Sequence, residues 1–363
     1  MSAFSRLKAY ITGEDANKTA ADLQAASIPV SEAECRGCAN PCDEGHEEYP
    51  AKFDVDLESE LLGSVKPYSR QVVISTGKSD WPKEVTEAEG TLAAFLSSLS
   101  GGPKPASDGS ASPPEVPAKV PVAVAGVFDS ADLAKISKVT FLNGSHRTVC
   151  EDEQKETVLV FPDYKVVTGV DRSPDGAEKL WRSTVSPDLH VRTPPAGGSE
   201  LKTWILPYSC VIMLCSHKRR DNRCAIAAPK LESTFMQVLE REGWEVHTQV
   251  EDSSLSGPPL EELTGTEEEK QAEVLRQLKN VDAEHSDAKR VLILRNSHVG
   301  GHKFAGNVII NTPRGVSVWY GRVTPHEVEA IVKETIVGGK ILPPLLRGGL
   351  NLSCPGHASL NDW

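Results

Sequence analysis

No apolar run in these 363 residues approaches the roughly 20 needed to cross a bilayer. The opening stretch through Gln24 also lacks the apolar core of a secretory signal, and Glu14 and Asp15 count against a basic presequence. These absences exclude a membrane role and make the cytoplasm the expected compartment. An excess of positive charge is missing too: 39 Lys and Arg against 51 Asp and Glu give a formal net charge of −12. Such a balance opposes attraction to nucleic acid, so no nucleic-acid partner is expected. No glycine-rich dinucleotide fingerprint follows a strand, which leaves intrinsic NAD or flavin binding without support. Nor does a C-x2-C stand at the first strand-to-helix junction of the C-terminal half, where a dithiol oxidoreductase would carry it.

What the chain does hold is cysteine. Eight Cys in a reducing compartment read as thiols or ligands rather than disulfides. The organisation predicts an α/β fold in two domains. Residues 1–60 are polar and contain Cys35, Cys38, Cys42 and His46, whose short spacings make a second candidate zinc site, with free surface thiols as the preferred reading. Residues 61–200 begin with the strand QVVISTG and the helix TEAEGTLAAFLSSLS, and carry a Pro/Gly/Ser-rich insertion near 101–118 that is expected to be disordered. Asp80, Trp81 and Pro82 between them read as local helix initiation without chemistry. Residues 201–350 run strand (YSCVIMLCSH), helix (APKLESTFMQVLEREG), strand, hairpin and terminal helix, an order that is thioredoxin-like. Residues 351–363 form a tail that composition predicts to be unstructured.

The chemistry concentrates in that C-terminal domain. Cys215 and Cys224 close the segment CSHKRRDNRC, and His298 and His302 close HVGGH. Two soft thiolates and two imidazoles complete a four-ligand metal or iron-sulfur site. Gly300 and Gly301 disfavour a helix between the histidines and let the loop wrap a bulky group. His217 lies two residues from Cys215 and competes as a ligand; zinc remains compatible with the set. Cys210 reads as a core thiol.

The segments DWPKEV, CSHKRRDNRC, HVGGHKFAGNVIIN and VWYGRVTP, with the terminal tryptophan, resemble the sucrase/ferredoxin-like family of fungi and plants. The resemblance implies two thioredoxin-like domains: a degenerate first one, and a second that is a thioredoxin-like ferredoxin. It further implies one [2Fe-2S] cluster, with ligand roles on Cys215, Cys224, His298 and His302 and His217 beside them. No carboxylate constellation supports the sugar hydrolysis in the family's title. With only two thiolates, such a cluster is formally neutral when oxidised and carries one negative charge when reduced. Its potential should lie above the roughly −400 mV of plant-type ferredoxins. Histidine ligation should also couple electron transfer to protonation, because the remote ring nitrogen responds to the metal charge. Zinc-stabilised interaction modules and thiol-disulfide oxidoreductases are the competing classes.

Two recognition surfaces follow. Lys218, Arg219, Arg220 and Arg223 lie between the cysteines of an otherwise acidic chain, and Lys303 adjoins His302, a patch suited to an acidic flavin-containing reductase. At the other end, Asn361, Asp362 and Trp363 form an indole-and-carboxylate tail. The resemblance assigns that tail to the cytosolic iron-sulfur targeting complex, although Asn361 departs from the usual aliphatic residue.

Overall fold

The computed structural model of the chain describes residues 14–33, 48–101, 124–129, 138–195, 200–219, 222–282 and 289–362. Cys35, Cys38, Cys42, His46 and most of the 101–118 insertion lie outside them, as do Arg220 and Trp363. In chain order the first part contains α1 (Glu14–Ala25), β1 (Arg70–Ser75), α2 (Leu92–Ser100), β2 (Val127–Phe128), β3 (Val139–Gly144), β4 (Lys155–Phe161), β5 (Lys165–Asp171), α3 (Pro174–Leu180) and β6 (Lys202–Ile205). The second part contains β7 (Cys210–Cys215), α4 (Asn222–Arg241), β8 (Glu245–His247), α5 (Glu267–Val281), β9 (Arg290–Asn296), β10 (Val308–Asn311) and β11 (Ser317–Tyr320). It closes with α6, which runs from Val328–Ala330 into the π-helical Ile331–Val337, and β12 (Leu346–Leu350).

Among the described residues all twelve strands join one mixed sheet, in the order β2-β12-β11-β10-β7-β9-β3-β1-β4-β5-β6, with β8 beside β9. The halves repeat one plan. In each, a first strand (β1, β7) has a parallel partner on one side (β3, β9) and an antiparallel hairpin on the other (β4–β5, β10–β11). The two parallel partners meet edge to edge through Gly144 and Asn296. The seam is reciprocal: Ser145 N donates to Arg295 O at 2.8 Å, and Ser297 N donates to Asn143 O at 2.9 Å. The two serine hydroxyls repeat the symmetry, each accepting at 3.0 Å from the opposite strand, from Asn143 N and Arg295 N.

Side-chain alternation builds the layers. Ile212 and Leu214 of β7 pack under α4 and α6, while Val211 and Met213 face the other way, into a core shared with Val73, Leu142 and Leu159 of the first half. Val72 and Ile74 of β1 pack under α2 and α3. Each half therefore keeps its own helical layer on one face and shares its other core. Helix starts follow local chemistry: Thr91 caps α2, and Thr266 with Glu269 forms a capping box at α5. Helix α4 departs from expectation. The segment read as helical starts at Ala228, yet the helix begins at Asn222 and runs through Pro229. The polar segment at 1–60 is also less separate than its composition implies, since Leu23 and Ile28 enter the core under α4.

His146, just past the end of β3, is fully buried, with Nε2 at 3.2 Å from Thr157 O. Burial pulls its pKa down to about 4, against the opposing hydrogen bond to Thr157. An unfolded His takes up its proton near pH 6.5, the folded one only near 4, so the unfolded state binds more protons between those values. Stability contributed by the neutral imidazole should fall by about 3 kcal/mol as pH drops through that window. The check is urea unfolding at pH 7 and pH 4.5. His146→Gln should show a shallower pH slope than the wild type, and equal slopes would refute the assignment.

Candidate metal centre

Strand β7 delivers Cys215 to the carboxyl end of the parallel β7/β9 pair, where Cys215 N donates to Asn307 O at 3.1 Å. Cys224 does not sit on a strand end. The early start of α4 places it in the first helical turn, where the helix dipole favours a thiolate. His217 joins them, and one ligand atom from each of Cys215, His217 and Cys224 lies within 4.8 Å of the others. All three residues are buried. His298 Nδ1 stands 3.0 Å from His217 Nε2, and the His298 and His302 rings are 5.8 Å apart between centroids. Both later histidines are half-buried. The compact group thus contains His217, with His298 against it and His302 beside His298.

The electrostatics favour thiolate. A hydrogen bond from the Cys224 thiol holds Cys215 well below the usual cysteine range, against burial, and the His217 and His298 rings reinforce it. His217 Nδ1 is buried without a hydrogen-bond partner among the described residues. A buried imidazole nitrogen without a protein partner beside two thiols is the donor pattern of a metal-binding set. The donor set therefore fits a thiophilic metal group.

The walls come from distant sequence. Ala305, Phe53, Val55 and Val299 pack around the two cysteines. Phe53 and Val55 belong to the stretch read as a polar terminal segment; both are half-buried against the cysteines, which makes that stretch a cover for the site. Tyr49 secures it by donating to Val323 O at 2.8 Å, and Asp56 N donates to Lys303 O at 2.9 Å. Gly300 and Gly301 both have positive φ, at 83° and 68°, allowing the histidine loop to turn over the site.

Asp80 was read as helix initiation, but it accepts from Lys218 N at 2.8 Å and pairs with Arg219 at 3.8 Å. Ser216 Oγ also donates to Ser79 O at 3.2 Å, so the first half grips the segment between the cysteines. The sequence signal was the conspicuous DWP turn, without any hint of its distant partner. Much of the expected cationic patch is consequently engaged: Arg219 by Asp80, Lys303 by Asp56 at 3.2 Å, and Arg223 by Asp54 O at 2.6 Å. Lys218 is exposed.

The first half presents the same positions without the thiols. Ser75 ends β1 as Cys215 ends β7, and Ser145-His146 follow β3 as Ser297-His298 follow β9. Ser75 Oγ instead donates to Glu156 at 2.6 Å. Cys210 is buried in the core, as expected, and its thiol is pushed up by burial. A second His/Glu group, Glu245, His247 and Glu251, is closed by Arg290, which pairs with both carboxylates.

The tail is ordered through Asp362, contrary to its composition. Asn361 Nδ2 donates at 3.1 Å to both Ile336 O and Val337 O, satisfying carbonyls of α6, and Leu360 is buried. Asp362 accepts from Ala358 N and Ser359 N at 2.9 and 3.0 Å.

Residues 61–348 match the family model described as sucrase/ferredoxin-like. The chain belongs to this family. It is similar to Actin patches distal protein 1 of Saccharomyces cerevisiae, 25% identical over 85% of this chain and 81% of that protein. It is also 31% identical to Altered inheritance of mitochondria protein 32 of Meyerozyma guilliermondii, over 39% of this chain and 35% of that protein. The protein of the same name from Clavispora lusitaniae is 33% identical over 38% and 34% of the two chains. The match thus spans about a third of the length of those two relatives. No solved structure matches. No helix among the described residues is long and apolar enough to cross a membrane.

Proposed function

We propose that Cys215, Cys224, His298 and His302 hold one [2Fe-2S] cluster and that the chain carries single electrons. The observation that carries this reading is two buried thiols grouped with His217, against which the half-buried His298 lies at 3.0 Å, with the His302 ring 5.8 Å from that of His298. When bound, the cluster would supply a one-electron couple. Cys215 and Cys224 would hold it from the buried side, where Phe53, Val55, Val299 and Ala305 pack against them. His298 and His302 would hold it from the side nearer solvent, where a redox partner can approach. The repeated strand plan supports reading both halves as thioredoxin-like units, the second being the ferredoxin.

One observation favours a second reading. Cys215, His217 and Cys224, with His298 at 3.0 Å from His217, form a set compact enough for a single tetrahedral zinc, whose ligands sit about 2.0–2.3 Å from the metal. Zinc would make the domain an interaction module. Thiol-disulfide exchange has less support, because both thiols are almost wholly buried and a protein substrate cannot reach them. Anaerobic purification followed by metal and acid-labile sulfide analysis separates these readings. Iron and sulfide in equal amounts, two of each per chain, are expected together with visible absorption; stoichiometric zinc without iron or sulfide sinks the electron-carrier reading.

A flavin-containing reductase remains the proposed donor, with exposed Lys218 among its cationic contacts. Recognition by a cytosolic iron-sulfur targeting complex rests on Trp363, since Asn361 is already committed to α6. Deleting Trp363 should lower iron content in cells but not after chemical reconstitution; equal cellular loading removes the proposal.

A further inference from the structure

Arg347 is among the largest fully buried side chains, 2% exposed, and no carboxylate pairs with it among the described residues. Its position has a local cause. Tyr320 pairs with Leu346 and Trp319 with Gly348, so Arg347 is the extra residue of a β-bulge between β11 and β12. Bulges re-aim side chains and occur beside functional sites. This one turns the guanidinium toward the histidine loop, where Nη1 donates to Gly300 O at 3.2 Å and to Asn307 Oδ1 at 2.7 Å. On its other side Nε donates to Ser64 Oγ at 3.0 Å. A Cβ on Gly301 would overlap the guanidinium, so the loop glycine is what lets the two lie together.

A buried cation without an anionic partner is costly, and neutral acceptors offset only part of the penalty. Burial pulls Arg347 down to about 10, and negative charge on Cys215 and Cys224 opposes that shift. The other buried arginine of comparable exposure, Arg70, has its carboxylate at 2.8 Å in Asp163. Arg347 differs in leaving that role open toward the metal centre.

We propose that Arg347 is the built-in counter-charge of the Cys/His centre, raising its reduction potential by stabilising the electron that the centre accepts. This rests on the electron-carrier reading above. Asn307 orients the guanidinium, and its own Nδ2 donates to Gly301 O at 3.2 Å, tying both residues to the loop between the histidines.

The test is the midpoint potential of the full-length, iron-loaded chain. Arg347→Gln should lower the reduction equilibrium constant about tenfold, equivalent for one electron to about 59 mV. Arg347→Lys, which keeps the charge, should restore most of the shift. Asn307→Asp keeps the arginine but gives it a carboxylate, and should lower the potential in the same direction; it decides the question if Arg347→Gln does not fold. A loaded Arg347→Gln or Asn307→Asp chain at the wild-type potential overturns the inference alone. A wild-type chain without iron and sulfide overturns the electron-carrier reading, and this inference with it.

Discussion

His302→Ala is expected to abolish visible absorption and remove most iron and sulfide, while His217→Ala retains both. The contrast tests ligand choice where proximity and resemblance point different ways. His217 belongs to the compact group with Cys215 and Cys224, whereas His302 stands beyond His298. A two-iron group held by Cys215, Cys224, His298 and His302 would need His302 as a ligand. A single tetrahedral ion needs His217 instead. Under the cluster reading, losing His217 removes a neighbour of His298 and a hydrogen-bond donor to Cys215, and the variant should load fully with a shifted spectrum. Metal, sulfide and spectral analysis of both purified variants provides the check. Loss of the metal in His217→Ala, with retention in His302→Ala, would reverse the ligand assignment and favour the zinc module.

Asp163→Ala should be among the most destabilising single substitutions in the protein. Asp163 and Arg70 are each 1% exposed and 2.8 Å apart, and Lys165 lies 3.7 Å from the same carboxylate. Burial alone would raise the Asp163 pKa, but Arg70 and Lys165 together hold it below the ordinary aspartate value. Its stabilising effect is therefore present above the unfolded pKa near 4 and is lost only as pH falls through the lower folded value. Removing it at neutral pH leaves two buried cations without their anion, a loss of about 3–5 kcal/mol against a typical total of 5–15. Urea unfolding at pH 7 measures this directly. A change under 1 kcal/mol would mean that the carbonyls of Ser186, Leu189 and Thr193, which also accept from these cations, suffice without Asp163.

Local chemistry made much of the C-terminal half legible. The apolar run before Cys215, the helix through Leu239, the strand RVLILRN and the glycine turn at HVGGH are all visible as patterns, because a strand buried on both faces reads as a continuous apolar run and paired glycines permit the positive φ that Gly300 and Gly301 adopt. The C-x8-C and H-x3-H spacings marked candidate donors for the same reason: metal chemistry needs particular side chains, and those are readable one by one.

What remained hidden depends on residues far apart in the chain. Composition marked residues 1–60 as polar, yet Phe53 and Val55 pack against the cysteines, and two apolar side chains in a polar stretch leave no periodic signal. Asp80 looked like a helix starter until its hydrogen bond to Lys218 tied the first half to the site. Nothing in LLRGGL distinguishes Arg347 from a surface arginine; only the bulge against β11 turns its charge inward. The tail reads as unstructured, but Asn361 finds two helix carbonyls in need of a donor. Periodicity and donor chemistry are properties of neighbouring residues, so they are written in the sequence. Which charge meets which carbonyl, and which segment closes over a thiol, is decided only when the sheet brings its two halves together.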